Sequence, residues 1–157
     1  MINFLNSNPS VLATISIILI LFGWNVIYKN SRKITDRSET HILMQAFFNR
    51  IEMINEVGAE YWIKIHHTPE EASIKSHRFE ALISQLKLDI KLLSKRNIHL
   101  NASLDIVRIR KALTLDAQHP EKILASLKQI KVDDLNIYGS NLREKAYNVF
   151  MIKYPLT

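Results

Sequence analysis

Between Val11 and Tyr28 the chain reads VLATISIILILFGWNVIY, an almost wholly apolar run that no charge interrupts. At about 1.5 Å of rise per residue, roughly 18 to 20 apolar residues cross the hydrocarbon layer of a membrane. A helix is the form in which one such segment satisfies its own backbone polar groups there. The run predicts a transmembrane helix over 11–28, preceded by a short extracytoplasmic N-terminus over 1–10. A juxtamembrane basic segment and stalk follow over 29–40, then a cytoplasmic helical domain over 41–157. The flanks give the expected orientation. Met1 to Ser10 hold no Lys or Arg, whereas Lys29, Arg32 and Lys33 come directly after the run, and positive flanks stay in the cytoplasm. The expected location is a bacterial inner membrane, crossed once, with the N-terminus outside and the C-terminal domain inside. Trp24 and Tyr28 fall at the inner interface, where amphipathic rings prefer to sit. A cleaved secretory signal would carry a basic segment before the apolar core and a small-residue cleavage site after it; neither is present.

Within the run, Ala13, Ser16, Ile20 and Gly23 recur at spacings of three and four, which places small side chains along one stripe. Small stripes allow helices to approach closely in lipid, so these four residues are a candidate association face for a homo-oligomer.

The chain contains no cysteine, which removes disulfides and thiolate metal sites and fits a reducing compartment. Its three glycines are Gly23, Gly58 and Gly139, too dispersed for a glycine-rich phosphate loop. Beyond the run, Leu43, Phe47, Ile51 and Ile54 are spaced as one helix face. Asn30, Ser31, Thr35 and Asp36 offer a place to break and recap that helix, so a continuous stem and a broken one are both open. A helix end is expected after Ile65. Thr68-Pro69-Glu70-Glu71 supplies a capping Thr, a first-turn Pro and a Glu three residues past the cap, a strong start signal for a second helix. That helix carries Phe79, Ile83, Leu86, Ile90 and Leu93 and is expected to stop near Arg96 or Asn97. A third runs from after Asn101 to about Leu115, with Ala102, Ile106, Ile109 and Leu113 inward. A shorter one covers Pro120 to Ile130 and buries Ile123, Leu124, Leu127 and Ile130. A turn or short helix over Asp133 to Tyr138 then stops at Gly139, and Asn141 with Glu144 offers a capping box for a last helix whose face is Leu142, Ala146, Val149 and Phe150. The expected fold is all-α: one N-terminal transmembrane helix followed by a compact cytoplasmic helical bundle.

The net charge of +6 is unevenly distributed. Residues 29–33 carry +3, Thr35 to Glu71 carries −4, Ala72 to Lys111 carries +6, and the rest of the chain carries +1. Lys87, Lys91 and Lys95 repeat every four residues, so a helix aligns their ammonium groups. The following turn adds Arg96 and His99, and the third helix adds Arg108, Arg110 and Lys111. These residues are the candidate ligand-binding set, with arginines suited to bidentate phosphate contacts and lysines to point charge. Arg108 and Arg110 point to different sides of their helix. The same lysine row can instead be a solvated face, answered in part by the acidic ridge Glu52, Glu56 and Glu60, or can rest on the anionic inner leaflet.

His66 and His67 adjoin without further ligands at zinc spacing, and their expected place is a helix terminus. His41, His77, His99 and His119 are scattered, with no serine elbow and no cysteine nucleophile. Trp62 reads as a core anchor. No catalytic residue, metal or cofactor is expected, and the chain is read as non-enzymatic.

In layout, which here means size, one anchor and a basic cytoplasmic domain, the chain resembles the small membrane-anchored effectors of type III CRISPR antiviral defence that sense cyclic oligoadenylate. That resemblance implies a tetrameric assembly and a cyclic nucleotide ligand. The resulting expectation is a membrane sensor or effector whose basic domain binds an anionic, nucleotide-type ligand and perturbs an oligomeric membrane assembly. Its expected partners are membrane lipid, further copies of itself and that ligand, with no stable nucleic-acid complex. The alternative is a membrane-tethered structural or interaction protein that docks a cytoplasmic partner or the inner leaflet.

Overall fold

The computed structural model describes residues 9–64, 68–117 and 119–155, and these are all-helical, without strands. Four helices follow in order: α1 (Pro9–Ile63), α2 (Pro69–Lys95), α3 (Ser103–Thr114) and α4 (Ala125–Lys153), with a 3-10 turn at Pro120–Lys122 before α4. The chain divides into two units, 1–39 and 40–157.

In the first unit, the described backbone is helical throughout, and the break considered at Asn30 to Asp36 does not occur. Thr35 Oγ1 instead donates back to the Ser31 carbonyl at 3.0 Å, a local bond compatible with an unbroken helix. The helix is long and apolar enough to cross a membrane, and none of its most apolar window is buried inside the protein. Gly23 leaves open space where a side chain would stand.

The second unit has its own core. Met44, Phe47, Ile51, Ile54, Val57, Tyr61 and Trp62 form the buried stripe of α1, spaced by threes and fours as an amphipathic helix requires. From α2, Phe79, Leu82, Ile83, Leu86 and Leu93 join the same cluster, and from α3 Ile109, Ala112 and Leu113. The start of α2 follows its sequence: Thr68 Oγ1 accepts from the Glu71 amide at 3.1 Å, and the Glu71 carboxylate accepts from the Thr68 amide at 3.1 Å. Its end is a Schellman arrangement with Asn97 in place of glycine, at φ 56°. The Ile98 amide donates to the Leu93 carbonyl (3.0 Å) and the Asn97 amide to the Ser94 carbonyl (2.9 Å). Ile98 and Leu93 are both fully buried, which supplies the apolar contact that accompanies this cap.

The last third of the chain departs from expectation. In place of a short helix, a turn or short helix ending at Gly139, and a separate final helix, α4 is continuous from Ala125 to Lys153. Leu124, Leu127 and Ile130 are exposed and are not core residues; the buried stripe is Val132, Leu135, Gly139, Leu142, Ala146 and Phe150. Gly139 lies inside the helix because α4 crosses α1 there. A Cβ at this position would stand 2.9 Å from Ile51 Cγ2 and 3.1 Å from the Asn55 amide group, so glycine allows close approach and does not end the helix. Gly58 is equally confined: a Cβ there would collide with Leu135 Cδ1 and stand 3.0 Å from Leu113 Cδ2. Asn141 and Glu144 sit mid-helix and form no cap.

Tyr61 and Trp62 link α1 to the segment around α3. The Trp62 indole N–H donates to the Ala112 carbonyl at 3.0 Å, and the Tyr61 hydroxyl donates to the Ala117 carbonyl. Burial, reinforced by the Glu121 carboxylate, pushes the Tyr61 hydroxyl up to about 12. Between pH 10 and 12 the unfolded phenol loses its proton while the folded one keeps it, so stability falls as pH rises through that window and is fully present below it. A shift of two units corresponds to about 2–3 kcal/mol. Denaturant titrations at pH 9 and pH 12 check this: the wild type is expected to lose that increment relative to Tyr61→Phe, which has no proton to lose. Equal losses in both proteins exclude Tyr61 as the source.

Candidate functional site

The candidate basic residues come from α2, α3 and the turn between them, and the fold separates them. The Arg110 guanidinium turns to Glu80 of α2, with Nη2 at 2.9 Å and Nε at 3.1 Å from the same carboxylate oxygen. Arg108 turns to the other neighbour, its Cζ 4.9 Å from the Tyr138 ring centroid on α4. The two arginines of α3 are thus engaged by different helices, a salt bridge on one side and a cation–π contact on the other. They do not converge on one ligand. Lys111 is exposed on α3.

Lys87, Lys91 and Lys95 are exposed on α2 and form no ion pair among the described residues. The acidic ridge does not answer them. Glu60 pairs with Lys75 at 3.4 Å and Glu52 approaches Arg143 at 3.8 Å, while Arg50 and Asp89 join α1 to α2 at 3.3 Å. The row is an outward-facing line of positive charge.

At the end of α2 the structure gathers further polar groups. The Arg96 carbonyl accepts from Lys153 Nζ at 2.5 Å, and His99 Nδ1 lies 3.0 Å from Ser94 Oγ. Thr40 Oγ1 and the Tyr154 hydroxyl are 3.1 Å apart. Lys153 was missing from the sequence set because it comes from α4, 57 residues beyond Arg96. Its position in the last turn of a helix was the one available signal, since cations favour that end.

A second feature was not legible in the sequence. A depression of about 350 Å³ between α1 and α4 is lined by Glu52, Asn55, Glu56, Asn136 and Arg143, among others. Two of its buried atoms, Asn55 Oδ1 and Arg143 Nε, meet no hydrogen-bond partner among the described residues. Donors and acceptors of both charges share this place, which suits a small polar molecule or water rather than an anion. On α4, Lys145 Nζ reaches the buried Asp105 carboxylate of α3 at 2.5 Å, a pair that holds helices together.

Among the described residues, no group of three or more His, Asp and Glu side chains is placed to hold a metal ion. His66 and His67 lie outside the described residues. His41 packs beside Phe150, ring centroids 6.2 Å apart, and His119 Nδ1 stands 3.5 Å from Glu121 on the surface. Trp62 is a core residue, 1 % exposed, with Lys131 Nζ 4.8 Å above its ring.

No protein-family model, no curated protein and no solved structure matches this chain.

Proposed function

We propose that this chain is a single-pass membrane protein that holds a non-enzymatic helical bundle at the inner face of a bacterial membrane, where the bundle docks an acidic cytoplasmic partner. One contrast carries the reading. The apolar window of α1 buries none of itself within the protein, whereas residues 40–157 bury a full set of apolar side chains among themselves. A fully exposed apolar helix in water exposes far more contiguous apolar surface than soluble monomers tolerate, and lipid removes that cost. Docking is favoured over an enclosed ligand site because Arg108 and Arg110 are engaged by Tyr138 and Glu80, while Lys87, Lys91 and Lys95 face outward.

A chain beginning at Thr40 tests the reading. It is expected to be soluble, helical and cooperatively unfolding, while the full chain stays with membranes through a salt wash. A full chain recovered in the salt-washed soluble extract overturns the anchor, and a truncated chain without cooperative unfolding overturns the independence of the bundle.

The unpartnered lysine row also supports a second reading, a sensor of an anionic, nucleotide-type ligand whose binding perturbs an oligomer assembled through Ala13, Ser16, Ile20 and Gly23. Binding shifts such an assembly only by differential affinity for two packings. Titration of the full chain with cyclic oligoadenylate decides it. Saturable binding abolished by Lys91→Glu supports the sensor, and binding unchanged by Lys91→Glu with Arg108→Glu removes this site from it.

A further inference from the structure

The inner end of the apolar run and the basic residues after it form a single surface. Trp24, Tyr28, Lys29, Arg32, Lys33 and Asp36 line one open depression along one side of α1, with successive members of each row three or four residues apart, as one helix face requires. Trp24 and Tyr28 are about two-thirds to three-quarters exposed, at 73 % and 67 %. Lys29, Arg32 and Lys33 are exposed as well, and none of the three forms an ion pair among the described residues. Their charges therefore have no partner of their own, unlike those of Arg110, Lys145 or Arg50, which pair within the bundle.

From this we infer that the depression is a binding site for the headgroup of an anionic phospholipid in the inner leaflet. The inference rests on the membrane reading above and adds a ligand to it. The order of the residues matches the depth profile of a leaflet. With about 1.5 Å of rise per residue, Lys33 stands roughly 13 Å beyond Trp24 along the helix axis. The rings occupy the level where amphipathic aromatics sit, at the border of the hydrocarbon. Lys29 follows directly on Tyr28, and Arg32 and Lys33 lie about one turn further out, among the phosphates. Arg32 offers a planar fork to two phosphate oxygens, while Lys29 and Lys33, four residues apart, flank it as point charges. Tyr28 presents a hydroxyl that can donate to a glycerol ester or phosphate oxygen next to that fork. Asp36, at the outer rim, disfavours a second phosphate beyond the first and so limits the depression to one headgroup. A zwitterionic lipid carries a cation that this row repels; a lipid with a bare phosphodiester does not.

Each Lys or Arg held near an anionic surface contributes about fivefold in association at moderate salt, so three cations together give an expected preference of about a hundredfold, reduced as salt rises.

The test uses the full chain in nanodiscs of phosphatidylcholine containing a small fraction of spin-labelled phosphatidylglycerol, read as the motionally restricted fraction of the label. The wild type is expected to restrict phosphatidylglycerol well above labelled phosphatidylcholine, with the difference shrinking as salt increases. K29Q/R32Q/K33Q is expected to lower that preference at least tenfold, while K122Q/K128Q, which removes charge from the bundle, leaves it unchanged. W24L/Y28L is expected to weaken the restriction of both lipids. Equal restriction of the two lipids by the wild type overturns the inference, as does an equal loss in K122Q/K128Q. Displacement of the labelled lipid by millimolar glycerol 3-phosphate also overturns it, because the site would then serve a free phosphate. If the chain fails to enter nanodiscs at all, the membrane reading fails with it; entry without lipid preference sinks this inference alone.

Discussion

Replacing Ile18 and Leu19 together with lysine is expected to release the chain from the membrane. Both side chains are largely exposed on α1, at 59 % and 64 %, so neither substitution disturbs packing inside the protein. A lysine near the centre of a membrane helix costs about 2.5–3.5 kcal/mol, and each Leu, Ile, Val or Phe contributes about −0.3 to −0.6 kcal/mol. The run from Val11 to Tyr28 holds eleven such apolar residues, which together contribute about −3 to −7 kcal/mol before the small polar residues are counted. Two central lysines oppose this with about 5–7 kcal/mol and remove two of the favourable contributions. The balance changes sign. Extraction at alkaline pH is expected to leave the wild type in the pellet and to place Ile18→Lys with Leu19→Lys in the supernatant. The same pair of charges at Leu104 and Val107, exposed on α3, is expected to leave the partition unchanged.

Trp62→Ala carries the largest expected loss of stability within the bundle, about 3–5 kcal/mol. Trp62 is among the largest fully buried side chains, packs edge-on to Tyr61 with centroids 5.0 Å apart, and donates to the Ala112 carbonyl at 3.0 Å. Truncation leaves a cavity between α1 and α3 and strips the Tyr61 ring of its neighbour. It also removes the surface on which Lys131 rests. Trp62→Phe keeps much of the volume and loses the N–H, with a smaller expected loss of about 1–3 kcal/mol. Denaturant unfolding of the full chain in detergent, followed by far-UV circular dichroism, separates the two. The ranking Ala below Phe below wild type is expected; an alanine variant as stable as the wild type contradicts a core role for Trp62.

Local signals in the sequence were sufficient where the structure is local. Thr68, Pro69 and Glu71 mark the start of α2 because the cap is made by residues three apart, and the α2 seam was legible because its period is that of the helix. The last third was misread for a physical reason. Gly139 carries the composition of a helix stop, yet its role is set by Ile51 and Asn55 on a helix far away in sequence. Nothing local distinguishes a glycine that ends a helix from one that lets two helices touch. The same reason explains the candidate site. The alignment of Lys87, Lys91 and Lys95 follows from spacing alone, whereas the engagement of Arg110 by Glu80, of Arg108 by Tyr138 and of the Arg96 carbonyl by Lys153 depends on tertiary packing. Leu127 and Ile130 look like core residues by hydropathy and lie outside because the stripe of α4 is set by Val132, Leu135 and Leu142.

Because the chain has no cysteine of its own, single introduced cysteines report position without background. Ser10→Cys, Leu19→Cys and Ser140→Cys, labelled with a membrane-impermeant maleimide, map the three compartments in one experiment. The expected pattern is labelling of position 10 in intact cells, labelling of position 140 only after the membrane is opened, and no labelling of position 19 until detergent is added. Equal labelling of all three in a detergent-free soluble extract contradicts residence of the apolar segment in lipid, and labelling of position 140 in intact cells contradicts the inward placement of the bundle.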